Sequence, residues 1–255
     1  MTRDQLLDRW HEEEVLPRSG WTFDHLGGRV HDSPTPWNYP GLCRTEIAAA
    51  RRVLDLGTGG GEFLLGFLDV LPPDTTATEG WPPNIDVAAQ ALEPHGIDLV
   101  VFDAQHDDEL PFQDERFDLV INRHEDYIAT EVARVLEPGG VYLTKQVGGD
   151  DFAEAHQLFG APVMYPDHLL SACVGELQAA GLVLDMGQEW RGPTTFDDVG
   201  ALVQYFMMVP WDVPDDFSVS RYADTLMNLH EGGPAQGLPI AFTESRFVMR
   251  AHKPV

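Results

Sequence analysis

Cysteine and lysine are both scarce in this chain of 255 residues: the cysteines are Cys43 and Cys173 alone, and the lysines are Lys145 and Lys253 alone. Two thiols so far apart build neither a disulfide framework nor a zinc ribbon, so a reducing cytoplasm is the expected setting. Nowhere does the chain approach the roughly 20 consecutive apolar residues of a membrane helix. Its start, MTRDQLLDRWHEEE, is charged and lacks an apolar run before a cleavage site, so neither a membrane anchor nor a secretory leader is expected. Cations are few altogether, 16 Lys and Arg against 42 Asp and Glu, for a net charge of −26. Nucleic-acid binding draws most of its affinity from cations that neutralise phosphates, so DNA and RNA are not expected partners. Only Arg44, Arg51 and Arg52 lie close together, and they stand against the acidic majority.

What the chain does have is alternation. Strand-like segments at 52–56, 75–79, 97–102, 117–122 and 141–147 are separated by helix-like segments at 62–71, 84–92 and 128–136, the last stopped by Pro138-Gly139-Gly140. Crossovers of that length return the chain parallel and right-handed. The pattern therefore predicts an α/β fold with a Rossmann-like, doubly wound, mostly parallel seven-stranded sheet. A further helix at 168–180 and a strand at 182–190 follow. Two helices within 196–231 are parted by VPWDVPDDF, whose prolines oppose a helix, and an antiparallel strand is expected at 241–252. The organisation expected is a helical cap segment at 1–45, a core at 46–195, a helical insertion at 196–239 and a final strand at 240–255.

The strongest local signal is VLDLGTGGGEF at residues 53–63. A buried strand runs into glycines that let the backbone turn tightly and approach a ligand without Cβ clashes, which points to a nucleotide-like ligand. In the dinucleotide pattern G-x-G-x-x-G the sixth position is Gly or Ala, but here it is Glu62, which would crowd a pyrophosphate and add like charge. The ligand expected carries no phosphate.

In these residues the chain resembles class I S-adenosylmethionine-dependent methyltransferases: Asp55, Gly57, Gly59 and Gly61 match that family's first motif in place. The resemblance covers roughly residues 50–150, with FDLVINRHEDY and EVARVLEPGGVYLTKQ matching later motifs, while the ends match an uncharacterised bacterial branch. It implies S-adenosylmethionine as cofactor, wrapped at its methionine and ribose portions by Gly57, Thr58, Gly59 and Gly61. Asp55 would help to hold the amino group. Glu79, with Gly80 beside it, would meet the ribose hydroxyls, Trp81 would cover one face of the adenine, Asp103 with Ala104 would meet the adenine amino group, and Asn122, like Arg123, would contact either the methionine end or the acceptor.

Methyl transfer from a sulfonium needs in-line alignment and, for a hydroxyl or amine acceptor, loss of a proton. His124 in the segment NRHEDY, at the carboxyl end of the fourth strand, is the candidate general base because imidazole titrates near neutral pH. Glu125, Asp126 and Tyr127 are reserve bases. Trp21, His25, Trp37, Arg123, Tyr205 and Trp211 are the candidate lining of the acceptor pocket. No metal site is expected, since the His and carboxylate runs at His11 and His124 lack ligand spacing. The function expected is methylation of an oxygen, nitrogen or carbon of a small molecule. Two alternatives stand beside it: a ribosomal or transfer RNA base methyltransferase, disfavoured by the acidity and by the lack of a cysteine zinc module, and a non-catalytic S-adenosylmethionine-binding regulatory module.

Overall fold

The computed structural model describes residues 1–16 and 26–255. Eight strands and nine α-helices are formed among these residues: α1 Arg3–Glu14, β1 Val30–Asp32, α2 Tyr39–Ala49, β2 Arg52–Leu56, α3 Glu62–Leu65, β3 Asp74–Glu79, α4 Pro82–Leu92, β4 Asp98–Val101, β5 Phe117–Arg123, α5 Ala129–Val135, β6 Leu136–Val147, α6 Ala153–Phe159, α7 Leu170–Ala179, β7 Val183–Phe196, α8 Val199–Met208, α9 Ala223–Gly232 and β8 Ile240–His252. The strands are hydrogen-bonded in the order β1-β7-β8-β6-β5-β2-β3-β4, one more than the seven expected. The extra strand is β1, only three residues long, whose Val-His-Asp carries no alternating pattern to read. The chain divides into two units, one of residues 36–148, 168–189 and 246–255, the other of 1–35, 149–167 and 190–245.

The first unit holds the parallel strands β4, β3, β2, β5 and β6, with β8 antiparallel to β6 from Val141↔His252 to Val147↔Arg246. In β2 four successive residues, Val53 to Leu56, are buried, as in a strand covered on both faces. α2 starts at Asn38, whose side chain accepts from the Gly41 amide, and α4 starts on Pro82 and Pro83, whose missing N–H groups cost nothing in a first turn. The helix expected over 62–71 is α-helical only to Leu65. Beyond it, amides bond three residues back, Gly66 to Phe63, Phe67 to Leu64 and Leu68 to Leu65, which tightens the chain into turns. Pro138-Gly139-Gly140 lies inside β6 rather than ahead of it. Leu136 already pairs with Phe117, and the register shifts between Phe117 and Leu119, so the Pro-Gly-Gly run forms an irregularity in the ladder instead of a loop.

In the second unit β1 pairs antiparallel with the end of β7, from Val30↔Phe196 to Asp32↔Thr194. Thr2 caps α1 through a reciprocal pair with Gln5, and Asp198 caps α8 through the Ala201 amide. The core of this unit is aromatic, with Phe152, Phe159, Phe196, Phe206 and Phe242 all buried. The helix α6 within it was not expected from the sequence, because seven residues following Gly148-Gly149 give too short a period to recognise.

Candidate active site

The glycine turn joins β2 to α3 in the first unit. Gly57, Gly59 and Gly61 all have φ in the left-handed region, at 73°, 64° and 89°, where side chains are strained. The turn is tied to β3 by the Thr58 amide donating to Thr78 O at 2.8 Å and the Gly57 amide donating to Thr78 Oγ1 at 3.1 Å. A methyl group on Gly59 would meet nothing within 4 Å, so this glycine lies open, whereas one on Gly57 would overlap the Glu125 side chain. Tight approach at Gly57 is therefore already used within the protein.

Asp55, the penultimate residue of β2, is 3% exposed, and among the described residues its Oδ2 has no hydrogen-bond partner. The Thr58 hydroxyl beside it is buried as well. Burial pushes the Asp55 carboxyl up to about 6, against the opposing pull of the Thr58 hydroxyl and the Arg123 charge. A buried carboxylate oxygen lacking a donor suits a ligand ammonium group.

Glu79 ends β3. Its Oε1 accepts from the Trp81 amide at 2.8 Å, and burial raises its carboxyl while the amides of Trp81, Gly59 and Gly80 and the side chain of Asn84 hold it down. Trp81, at the cap of α4, is 45% exposed, as a ring must be to cover a ligand. Gly80 is needed for the packing of the two strand ends, since a methyl there would come within 2.6 Å of Asp103 Cα and Phe102 O. Asp103 closes its own turn, accepting from the Gln105 amide at 2.9 Å and bonding His106 Nδ1 at 2.7 Å; these contacts, the amide first, lower its carboxyl. Ala104 packs against the hydrophobic core beside it.

Asn122, fully buried at the end of β5, acts as a pin. Its Oδ1 accepts from Gln146 Nε2 at 3.0 Å and from the Glu125 amide at 3.2 Å, and its carbonyl accepts from the Tyr39 hydroxyl at 2.7 Å. That hydrogen bonding fixes the segment 122–127 over the glycine turn. Arg123 lays its guanidinium over the Phe63 ring, 4.7 Å from the centroid. His124 has φ of 67° and donates its amide to Lys145 O at 2.9 Å. Desolvation first, then the charges of Lys145, Arg246 and Arg123, push the imidazole well below its usual value. Glu125 is half-buried; burial and the neighbouring Glu79, Asp103 and Asp126 raise its carboxyl to about 7.

Of the expected pocket residues, Trp37 is buried in this unit. Trp21 and His25 lie outside the described residues. Tyr205 and Trp211 belong to the other unit. There Tyr205 packs on Phe152 and Phe196, each at 5.3 Å, while Trp211 is 44% exposed. Glu125, expected only as a reserve base, is the group of this segment whose carboxyl is raised to about 7. The arginines that cluster in sequence are engaged with acids, Arg44 with Asp69, Arg51 with Asp118 and Glu137, and Arg52 with Glu137. Among the described residues no group of three or more His, Cys, Asp or Glu side chains is arranged to hold a metal ion, and no helix is long and apolar enough to cross a membrane.

A parallel sheet with a glycine turn after its central strand and an acid at the end of the next defines the nucleoside-binding α/β fold of class I methyltransferases. Residues 54–144 match the family described as methyltransferase domain. It is 25% identical over 169 residues to the uncharacterized methyltransferase YcgJ of Bacillus subtilis, covering 60% of this chain and 65% of that protein. Over 101 residues it is 35% identical to a fatty-acid O-methyltransferase of Mycolicibacterium smegmatis, covering 36% of each. The chain thus spans less than two thirds of the length of these curated relatives. The crystal structure of YcgJ superposes with a TM-score of 0.61 at 21% identity, covering 85% of this chain and 98% of that one. A putative methyltransferase from Bacillus halodurans gives 0.57 at 19%, covering 84% and 98%. At such identities the likeness is one of fold.

Proposed function

We propose that this protein transfers a methyl group from S-adenosylmethionine to an oxygen, nitrogen or carbon of a small molecule. The observation that carries the reading is Asp55, a carboxylate buried at the mouth of a glycine turn with one oxygen lacking a donor. Such a group is costly to keep in a fold unless a ligand supplies the missing partner. The cofactor, when bound, supplies a methyl group already activated on sulfonium. The chain's own residues do the rest. Asp55 and the Thr58 hydroxyl meet the amino-acid end, the open Gly59 gives backbone room, Glu79 accepts from the ribose hydroxyls and Trp81 covers the base.

Proton removal from the acceptor falls to the segment 122–127. Glu125, with its carboxyl near 7, matches the working pH of a general base. His124, held neutral by desolvation and then by its cationic neighbours, is available beside it as a weaker base. A small acceptor fits better than a nucleic acid, because a net charge of −26 opposes phosphate contacts.

Calorimetric titration with S-adenosylhomocysteine tests the reading without knowledge of the acceptor. Saturable binding at one site, lost in Asp55→Asn, is expected, and screening of small acceptors with labelled S-adenosylmethionine would follow. No binding at millimolar ligand would refute it.

A further inference from the structure

Asp55 and Glu79 mark the amino-acid end and the ribose end of the candidate site, and one acid stands between them. Gly57 follows Asp55 by two residues and donates its amide at 3.1 Å to the hydroxyl of Thr78, the neighbour of Glu79. The side chain of Glu125 lies on Gly57: a methyl group added to this glycine would overlap Glu125 Cβ and Cγ and stand 2.8 Å from Oε2. Glu79 acts electrostatically on both Asp55 and Glu125. In S-adenosylmethionine the sulfur is the atom that joins the amino-acid portion to the ribose. The residue over Gly57 is therefore the one placed to face that sulfur.

Glu125 is held there from behind. Its amide donates to Asn122 Oδ1 at 3.2 Å, and its carbonyl accepts from Gln146 Nε2 at 2.9 Å. Gln146 Nε2 also donates to Asn122 Oδ1 at 3.0 Å and Thr144 Oγ1 at 2.9 Å, and all three of these side chains are buried. The peptide groups of Glu125 are thus fixed to β5 and β6. His124, just before it, has φ of 67°, a strained conformation of the kind that collects where a side chain must be presented. The groups that act on the Glu125 carboxylate are acids, Glu79 on β3, Asp103 after β4 and Asp126 beside it, with the Asp126 amide pulling the other way. Arg123, the cation of this segment, acts on Asp55 and lies over the Phe63 ring. A carboxylate set among carboxylates is stabilised by a ligand that brings a positive charge to it.

Resting on the methyltransferase reading, we propose that Glu125 recognises the sulfonium charge of S-adenosylmethionine, so that the site holds the methyl-bearing cofactor more tightly than S-adenosylhomocysteine. Asp55 and Glu79 meet groups that both ligands share, and the permanent charge that sets the two apart is at sulfur. A group that tells them apart by charge must face that atom. Glu125 loses its contact once the sulfur is an uncharged thioether, which favours exchange of spent cofactor for fresh. Because the contact is made before reaction, it acts on occupancy and product release rather than on the methyl-transfer barrier.

The test is calorimetric titration of the full chain, without acceptor, with S-adenosylhomocysteine, S-adenosylmethionine and sinefungin, which carries an ammonium group in place of the methylated sulfonium. At about pH 8 the parent is expected to bind both cationic ligands about tenfold or more tighter than S-adenosylhomocysteine. In Glu125→Gln that preference should fall to about twofold or less, with S-adenosylhomocysteine bound within about threefold of the parent. In the parent the preference for sinefungin should shrink towards about pH 6, where Glu125 takes up its proton. Equal affinity of the parent for charged and uncharged ligands at about pH 8, or a preference undiminished in Glu125→Gln, overturns the proposal. Should Glu125→Gln not fold, the parent decides: a sinefungin preference that does not change between about pH 6 and about pH 8 overturns it. Failure of the parent to bind any of these ligands would instead refute the methyltransferase reading, so the two failures are distinct.

Discussion

Asp55→Asn is expected to stabilise the ligand-free protein at alkaline pH while removing its response to cofactor. The Asp55 carboxyl is raised from 3.8 to about 6, chiefly by burial. A raised folded-state value means that stability is fully present below the unfolded value and is lost as pH rises through the folded one. A shift of about two units corresponds to about 3 kcal/mol once the group is ionised in both states. Worked through linkage, about 1.6 kcal/mol of this is lost by about pH 5 and about 3 kcal/mol by about pH 8. Asparagine removes the loss, but leaves an amide with an unmet hydrogen bond at a cost of about 1–2 kcal/mol. The variant should therefore match the parent at about pH 5 and exceed it by about 1–2 kcal/mol at about pH 8; Glu125 titrates in both proteins and cancels in the difference. Urea unfolding of the two proteins at both pH values gives the quantity directly. Adding S-adenosylhomocysteine at about a hundred times its dissociation constant should stabilise the parent by about 2.7 kcal/mol and the variant not at all. A stability difference independent of pH, or a variant that still responds to the ligand, would refute the argument that Asp55 is a strained carboxylate awaiting a cationic partner.

Glu79→Ala should weaken S-adenosylhomocysteine about tenfold or more in calorimetry, because the charged acceptor for the ribose hydroxyls is gone. Once an acceptor is found, turnover of the parent should rise with pH through about 7, where Glu125 ionises. Glu125→Gln should abolish that limb and His124→Ala preserve it, and the reverse pattern would return the base role to His124. Gly57→Ala should cost about 1–3 kcal/mol in chemical denaturation, since the residue has φ of 73° and the added methyl would overlap Glu125; wild-type stability would contradict the packing described. In the other unit His156 Nε2 lies 3.5 Å from Asp212 Oδ1, and Asp212 raises the imidazole above its usual 6.5. The stability this pair contributes is present below that value and lost as pH rises through the raised one. Asp212→Asn should flatten that part of the unfolding-versus-pH curve.

The order of strands and helices along the chain was legible because each core strand is a short apolar run ending at a turn signal, and β2 occupies the very residues, 52–56, that its pattern predicts. The acids at strand ends were legible for the same reason: position in a parallel strand fixes which end a residue occupies, as for Asp55 and Glu79. The glycine turn was visible as composition, but not the use made of it. Gly59 lies open, whereas Gly57 and Gly80 are needed by protein neighbours, Glu125 and Asp103, that are distant in sequence.

Local periodicity and turn chemistry thus determined the core strands, their parallel sense and the residues at their carboxyl ends, because these depend on neighbours within a few positions, while β1 and α6 were too short to carry a period. Charge and ionisation in the site were decided by tertiary structure alone. The acidities of Asp55, His124 and Glu125 follow from burial and from charges brought in by other strands. Arg123, Lys145 and Arg246, separated by 22 and about a hundred residues in the chain, act together on His124 only through the register of β5, β6 and β8. A sequence lists such groups one at a time, while an electrostatic field depends on their distances, and those distances exist only in the folded sheet.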